Sequence, residues 1–312
     1  MALVEKYCIK PLLITCSDNL IGNVCNAFGQ VIINKSNLKK SKENYSIYNS
    51  PPNPLSREKI EKIMHTGISA IDLFCPIGFG QRLGLFASAG VGKSTLLGMI
   101  ARNSTADINV VALVGERGRE VNEFINENLG SSGMQNTIVV FATSDEPALT
   151  RQIAAYTATT IAEYFRDKGK KVLLLVDSLT RTARAIREVS LANGELPVRQ
   201  GYPASVFSEL PLLLERTGTN NKGSITAIYT ILKNAENESD PLAEEITSIL
   251  DGHITLSKDL ANQGIRPAID ITNSLSRLES QLLNNEKIKN INAIRIIIAK
   301  LERDKELLIF GG

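Results

Sequence analysis

Eight consecutive residues, Ala87-Ser88-Ala89-Gly90-Val91-Gly92-Lys93-Ser94, are spaced to hold a chain of phosphates. They follow the apolar run Arg82–Ala87 and open a helical pattern through Leu96, Leu97 and Ile100. In such a Walker A loop, glycines let main-chain N–H groups turn inward and the helix start adds its positive end. A lysine reaches the terminal phosphates, and a hydroxyl ligates magnesium. Those last two duties fall on Lys93 and Ser94, with Ser88, Ala89, Gly90, Val91, Gly92 and Thr95 completing the nucleotide-binding segment. The strict pattern opens with glycine where this sequence has Ala87, so the strand before and the helix after carry part of the argument. The alternative is a glycine-rich turn that binds no nucleotide.

Two carboxylates suit the remaining chemistry. Lys171–Asp177 is an apolar strand ending in an acid, as a Walker B segment requires to hold the magnesium shell; the bland alternative is an Asp177 that caps the following helix. Leu113–Glu120 lies between the two Walker segments and brings Glu116 to the end of a strand, where ligands of α/β sheets sit. Glu116 is placed to orient and polarise the water that attacks a γ-phosphate, and Arg117 or Arg119 to relay charge between subunits. Arginines and glutamates this dense also describe a solvated surface cluster of ion pairs.

The elements that must position these residues alternate in type. Apolar, β-rich runs at Arg82–Ala87, Val110–Val114, Ile138–Ala142, Val172–Val176 and Ser224–Leu232 are separated by longer helical patterns, which predicts a mostly parallel sheet. Near-continuous apolar runs such as Val172–Val176 suit strands covered by helices on both faces. The expected fold class is α/β, a P-loop NTPase core with helices on both faces of its sheet. Ahead of it, residues 1–33 read as a remnant of an N-terminal β region and the polar, proline-dotted residues 34–66 as a linker. Behind it, residues 279–312 read as a short C-terminal helical region, with Ile288, Ile291, Ile294, Ile298 and Leu301 on one helical face.

Composition excludes more than it specifies. Thirty-five basic against 33 acidic residues give a formal charge of +2, too little to recruit nucleic acid or an acidic membrane by global field. No apolar run approaches the roughly 20 residues of a spanning helix, and the N-terminus lacks the plan of a secretory signal, so a cytoplasmic location is expected. Cys8, Cys16, Cys25 and Cys75 form no CxxC pair and only His65 and His253 accompany them, so small buried hydrophobes are expected rather than a zinc site.

The motifs together resemble the ATPases of bacterial type III secretion and flagellar export, relatives of the catalytic β subunit of rotary ATP synthases. Besides Ala87–Ser94 and Gly115–Glu120, the matching stretches are Ala162–Asp167, Asp177–Arg181, Gly201–Phe207, Gly223–Ala227, Ile249–Ile254 and Pro267–Asp270, all in the same order. The resemblance runs from about Gly67 to Leu278 and implies a RecA-like P-loop NTPase core over residues 67–278. It implies ATP and Mg2+ as ligands, Lys93 and Ser94 on phosphate and magnesium, Glu116 as the catalytic carboxylate and Asp177 as the magnesium-shell acid. It also implies that Arg277, in Ser274-Leu275-Ser276-Arg277, is an arginine finger reaching into a neighbouring subunit's site, a role that the local sequence alone does not suggest.

The same resemblance implies a homo-oligomeric ring, a hexamer, at the cytoplasmic face of the inner membrane. Its implied partners are secretion chaperones, exported proteins, and stator and stalk proteins. Relatives carry an N-terminal β-barrel and a C-terminal helical domain, most of which the short flanks leave out, together with an adenine-packing aromatic about where this sequence reaches Leu308–Gly312. Competing readings are the flagellar sibling, a rotary-motor subunit, a nucleotide-binding scaffold without activity, and an RNA helicase. The Ser88–Gly90 loop and the Glu163–Arg166 segment lean toward the injectisome. A β-subunit loop usually begins Gly-Gly and ends in Thr, and no RNA-binding barrel or basic aromatic patch is visible.

Overall fold

In a computed structural model, residues 12–33, 43–232 and 240–310 are described. The polar run that begins at Lys35 lies mostly outside them, as does Cys8. Nine strands follow one another along the main sheet: β1 (Val24–Asn26), β2 (Val31–Ile33), β3 (Arg82–Ala87), β4 (Ile108–Glu116), β5 (Thr137–Thr143), β6 (Lys171–Asp177), β7 (Ser224–Leu232), β8 (Gly252–Leu256) and β9 (Ile269–Ser276). Their spatial order is β9-β8-β3-β7-β6-β4-β5-β1-β2, and a two-residue strand, Gly218–Thr219, adds to β7. The inner strands are parallel to one another, whereas β9 and β2 close the edges antiparallel.

The period of two along each strand divides the core between the two faces. On one face Val110, Ala112, Val114, Val172, Leu174 and Val176 pack under helices Ala148–Asp167, Leu179–Ala192 and Ala204–Glu215. On the other, Val111, Leu113, Leu173 and Leu175 pack under α1 (Lys93–Asn103) and the segment around Ile68–Ile77. Burial on both sides is why these strands carry apolar runs without polar alternation.

The described residues ahead of Gly67 do not stand apart from this core. β1 adds to β5 in parallel, Ile14, Cys16 and Ile47 are wholly buried in the first core, and Leu13–Cys16 pairs antiparallel with Glu43–Ser46. A buried ion pair fastens the segment. Arg216 donates to both Glu163 oxygens, at 2.9 and 2.7 Å, and also to the Ile47 carbonyl and Thr160 Oγ1. With every polar atom of the guanidinium matched, the cost of burying the charge is offset, and removal of either partner would strand the other. Cys16, Cys25 and Cys75 are buried, and burial pushes their thiols up to about 12.

At the other end a single helix runs over Asn285–Phe310. Of its predicted apolar face Ile291 is buried, Ile288 and Ile298 are half-buried, and Ile294 and Leu301 are exposed. Among the described residues no helix is long and apolar enough to cross a membrane.

Candidate active site

The C-terminal ends of β3, β4 and β6 deliver the charged side chains to one place. Ala87 is still a strand residue, paired with Leu232 and wholly buried, so the missing first glycine of the loop leaves no conformational demand unmet. The demand falls later, on Gly92, which caps α1 with φ 92° in the left-handed region that side chains disfavour. The loop then turns directly into Lys93, and the first N–H groups of the helix face outward with its positive dipole end. Val91 is buried beneath the loop, Ser88, Gly92, Lys93 and Ser94 are half-buried, and Ala89, Gly90 and Thr95 are exposed.

Lys93 Nζ donates to Asp177 Oδ1 and lies 3.6 Å from Glu116 Oε1. Asp177 is 1% exposed, and its Oδ1 also accepts a 2.8 Å hydrogen bond from Thr230 Oγ1 on β7. The helix after β6 is capped by Ser178, whose Oγ accepts from Arg181 N–H at 3.2 Å, so Asp177 is left free to face the lysine. Glu116 is 8% exposed, and its Oε2 pairs with Arg181 Nη2 at 3.2 Å, while its buried Oε1 has no hydrogen-bond partner among the described residues. Burial, and then the Asp177 carboxylate, push Glu116 up to about 7 against the opposing pull of Lys93 and Arg181.

Sequence reasoning did not single out Arg181 or Thr230. Arg181 donates to the Gly115 carbonyl as well as to Glu116, and Gly115 is required there: φ is 69° and a Cβ would come within 3.1 Å of Arg181 Cδ. The signals for Arg181 were its position one helical turn after Asp177 and its place at the end of the family-matching stretch Asp177–Arg181. Arg117 and Arg119, by contrast, are not brought into the cluster. Arg117 pairs with Glu120 at 3.8 Å and Arg119 with Glu123 at 2.6 Å, both with side chains at least 80% exposed. The chain turns at Gly115–Arg117, so neighbours in sequence face opposite ways.

Arg277 lies far from this cluster within the same chain. β9 runs antiparallel to β8, which is parallel to β3, so Ser276 pairs with Gly252 at the end of the sheet where β3 begins. The six-residue β3 separates that end from the phosphate loop by roughly 17 Å. The Arg277 side chain is exposed and donates to the Thr247 carbonyl at 3.2 Å.

Beside the phosphate loop, a pocket of about 230 Å3 opens between Val91, Thr95 and Met99 on one side and Leu256, Arg266 and Pro267 on the other. A flat, mostly apolar group joined to phosphates fits this pair of sites, the group in the pocket and the phosphates on the loop. The unmatched Glu116 oxygen, with Asp177 and Ser94 close to Lys93, is a donor set suited to Mg2+ and a water.

Fold and site together define a P-loop NTPase whose catalytic carboxylate candidate comes from the strand next to the Walker B strand. Residues 67–276 match the ATP synthase alpha/beta family, nucleotide-binding domain. The chain is 48% identical to the flagellum-specific ATP synthase of Bacillus subtilis, over 97% of its own length and 69% of that protein. It is 46% identical to the type 3 secretion system ATPase of Xanthomonas euvesicatoria, over 97% and 68% respectively. Among solved structures, the assembled ATPase EscN of the enteropathogenic E. coli type III secretion system superimposes with a TM-score of 0.90 at 48% identity, covering 96% of this chain and 73% of that one. The chain therefore belongs to the ATP synthase alpha/beta family, in its branch of type III secretion and flagellar export ATPases.

Proposed function

We propose that this ATPase hydrolyses Mg2+-ATP at sites shared between neighbouring copies of itself, and that the hydrolysis serves protein export through a type III secretion apparatus. The observation that carries the shared site is the division of the charged residues: Lys93, Glu116 and Asp177 converge at one end of the sheet, and Arg277 is exposed at the other. A chain cannot bring its own Arg277 to its own phosphates, but a neighbour in a closed ring can supply one.

In this reading the main-chain N–H groups of Ser88–Ser94 and the Lys93 ammonium bind the β- and γ-phosphates, and the pocket at Pro267 takes the base. Ser94 and Asp177 would hold Mg2+, which supplies charge neutralisation of the phosphate oxygens. Glu116, as carboxylate, accepts a hydrogen bond from the attacking water through Oε1 and aligns it with the γ-phosphate. Arg181 holds Glu116 at Oε2. Arg277 of the adjacent copy stabilises the charge that spreads over the transferring group. Arg117, paired with Glu120 in solvent, is left a role at the interface between copies at most.

The ring is taken to be a hexamer that works with a stalk, a stator, secretion chaperones and exported proteins at the cytoplasmic face of the inner membrane. Family membership supports this, as does the solved complex of EscN with its central stalk EscO. The flagellar apparatus is the sibling reading, carried by the flagellar relatives at equal similarity.

The test is steady-state ATPase activity across a wide range of protein concentration, with mass measured alongside. Specific activity should rise as the ring assembles. A constant specific activity from monomer to ring would sink the shared site, and Mg2+-ATP binding without hydrolysis at any concentration would leave a nucleotide-binding scaffold.

A further inference from the structure

Gln81 immediately precedes β3 and is wholly buried, an unusual place for a primary amide. All its side-chain groups are used. Oε1 accepts from Gly78 N–H at 2.9 Å, and Nε2 donates to the Asp251 carbonyl at 3.1 Å and to Ser276 Oγ at 3.0 Å. The Asp251 carbonyl also accepts the main-chain N–H of Arg277 at 2.9 Å. The Gln81 amide and the Arg277 main chain therefore meet on one oxygen, and the second acceptor of the amide is the residue just before Arg277.

The neighbouring residue reinforces the clamp from the other side. Arg82 donates to the Asp251 carboxylate from its main chain at 3.0 Å and from Nε at 3.2 Å. The Arg277 guanidinium, however, makes one hydrogen bond among the described residues, to the Thr247 carbonyl, so its direction in space is set largely by the main chain that Gln81 and Asp251 hold.

We propose that Gln81 is a positioning residue for Arg277, holding the last residues of β9 so that the guanidinium enters the neighbouring copy's site at the right angle. This rests on the shared-site reading above. Loss of the amide should misplace the finger without touching the phosphate loop. The activity of a Gln81→Met ring then falls about ten- to a hundredfold in kcat, with KM for Mg2+-ATP little changed, since small misplacements of a transition-state group cost on that scale.

A mixing experiment separates this role from a structural one. Glu116→Gln copies keep an intact Arg277 but lack a working site, and Arg277→Ala copies have the converse defect. Random one-to-one rings of those two should regain activity at about a quarter of their interfaces, the fraction in which an intact site meets an intact finger. Gln81→Met copies mixed with Glu116→Gln copies should be rescued in the same way, because the partner donates the finger. Mixed with Arg277→Ala copies they should not exceed the average of the two homomeric rings.

Rescue by Arg277→Ala copies instead would place the defect in the Gln81 copy's own phosphate site and overturn the proposal. Absence of rescue by either would make the defect one of folding or assembly and overturn it as well. Failure of the reference pair, Glu116→Gln with Arg277→Ala, would instead bring down the shared site and this proposal with it. Should Gln81→Met melt well below the wild type, Ser276→Ala removes one of the two acceptors with less volume change and must show the same asymmetry.

Discussion

The two ends of β3 handle charge in opposite ways. At the end that leads into the phosphate loop, Lys93, Glu116, Asp177 and Arg181 are drawn together under low exposure and neutralise one another in pairs. At the end where the strand begins, Gln81 is neutral, Arg82 is paired with Asp251, and Arg277, the proposed finger, is turned out to solvent. A guanidinium exposed on the surface contributes little to its own chain's stability. In the proposed shared site, its value is realised against charge supplied by another molecule: the fold completes the binding half internally and leaves the stabilising half to assembly.

The contrast is broken most severely at Arg277. Arg277→Ala is expected to lower kcat by about 10³-fold or more, the range typical of such fingers, with Mg2+-ATP affinity measured by a fluorescent analogue unchanged. A matching loss of affinity would mean that Arg277 serves nucleotide binding rather than the transition state. Glu116→Gln should cost about 10²- to 10⁴-fold in kcat, again with nucleotide retained, because only the alignment of water is lost.

The elevated Glu116 group sharpens the comparison through pH. Its carboxylate form is the one proposed to act, so kcat/KM should fall about tenfold per unit as pH drops below about 7, and the Glu116→Gln variant should lack that limb. Stability should move the opposite way. Between the ordinary value of 4.5 and about 7, the folded chain keeps a proton that the unfolded chain has released, so the contribution of this group to stability declines as pH rises through that window. Glu116→Gln should therefore melt a few degrees above the wild type at pH 8 and show little gain at pH 5, read by calorimetry. The smallest effect is expected at Thr230→Val, which removes one 2.8 Å hydrogen bond to Asp177 and should reduce activity only a few-fold.

The phosphate loop and the strands ending in Glu116 and Asp177 were legible because each is a local pattern: an apolar run, a glycine turn, a charge at the end. The α/β class followed from the same runs. Arg181 and Thr230 were not legible, since their meaning depends on which strand lies beside which. Thr230 reaches Asp177 only because β7 is inserted between β3 and β6. Arg117 stays outside the Lys93–Glu116–Asp177 cluster for the converse reason: adjacency to Glu116 in sequence says nothing about direction after the turn at Gly115. The stretch before Gly67 reads in sequence as a β remnant and a linker because its β-branched runs are short and broken by Gly22 and Gly29; how Ile14, Cys16 and Ile47 enter the core, with Arg216 on the Ile47 carbonyl, was not legible there.

The sequence by itself determined the chemistry available to this protein, a lysine and a hydroxyl on a phosphate loop and two carboxylates at strand ends, because those choices are imposed by groups within a few residues of one another. Tertiary structure alone decided how that chemistry is divided. The parallel order of β8, β3, β7, β6 and β4 collects Lys93, Glu116 and Asp177 at one end, and the reversed direction of β9 carries Arg277 to the other. Strand direction and neighbour order are properties of the whole sheet, set by the burial of both faces, and no local window of sequence contains them.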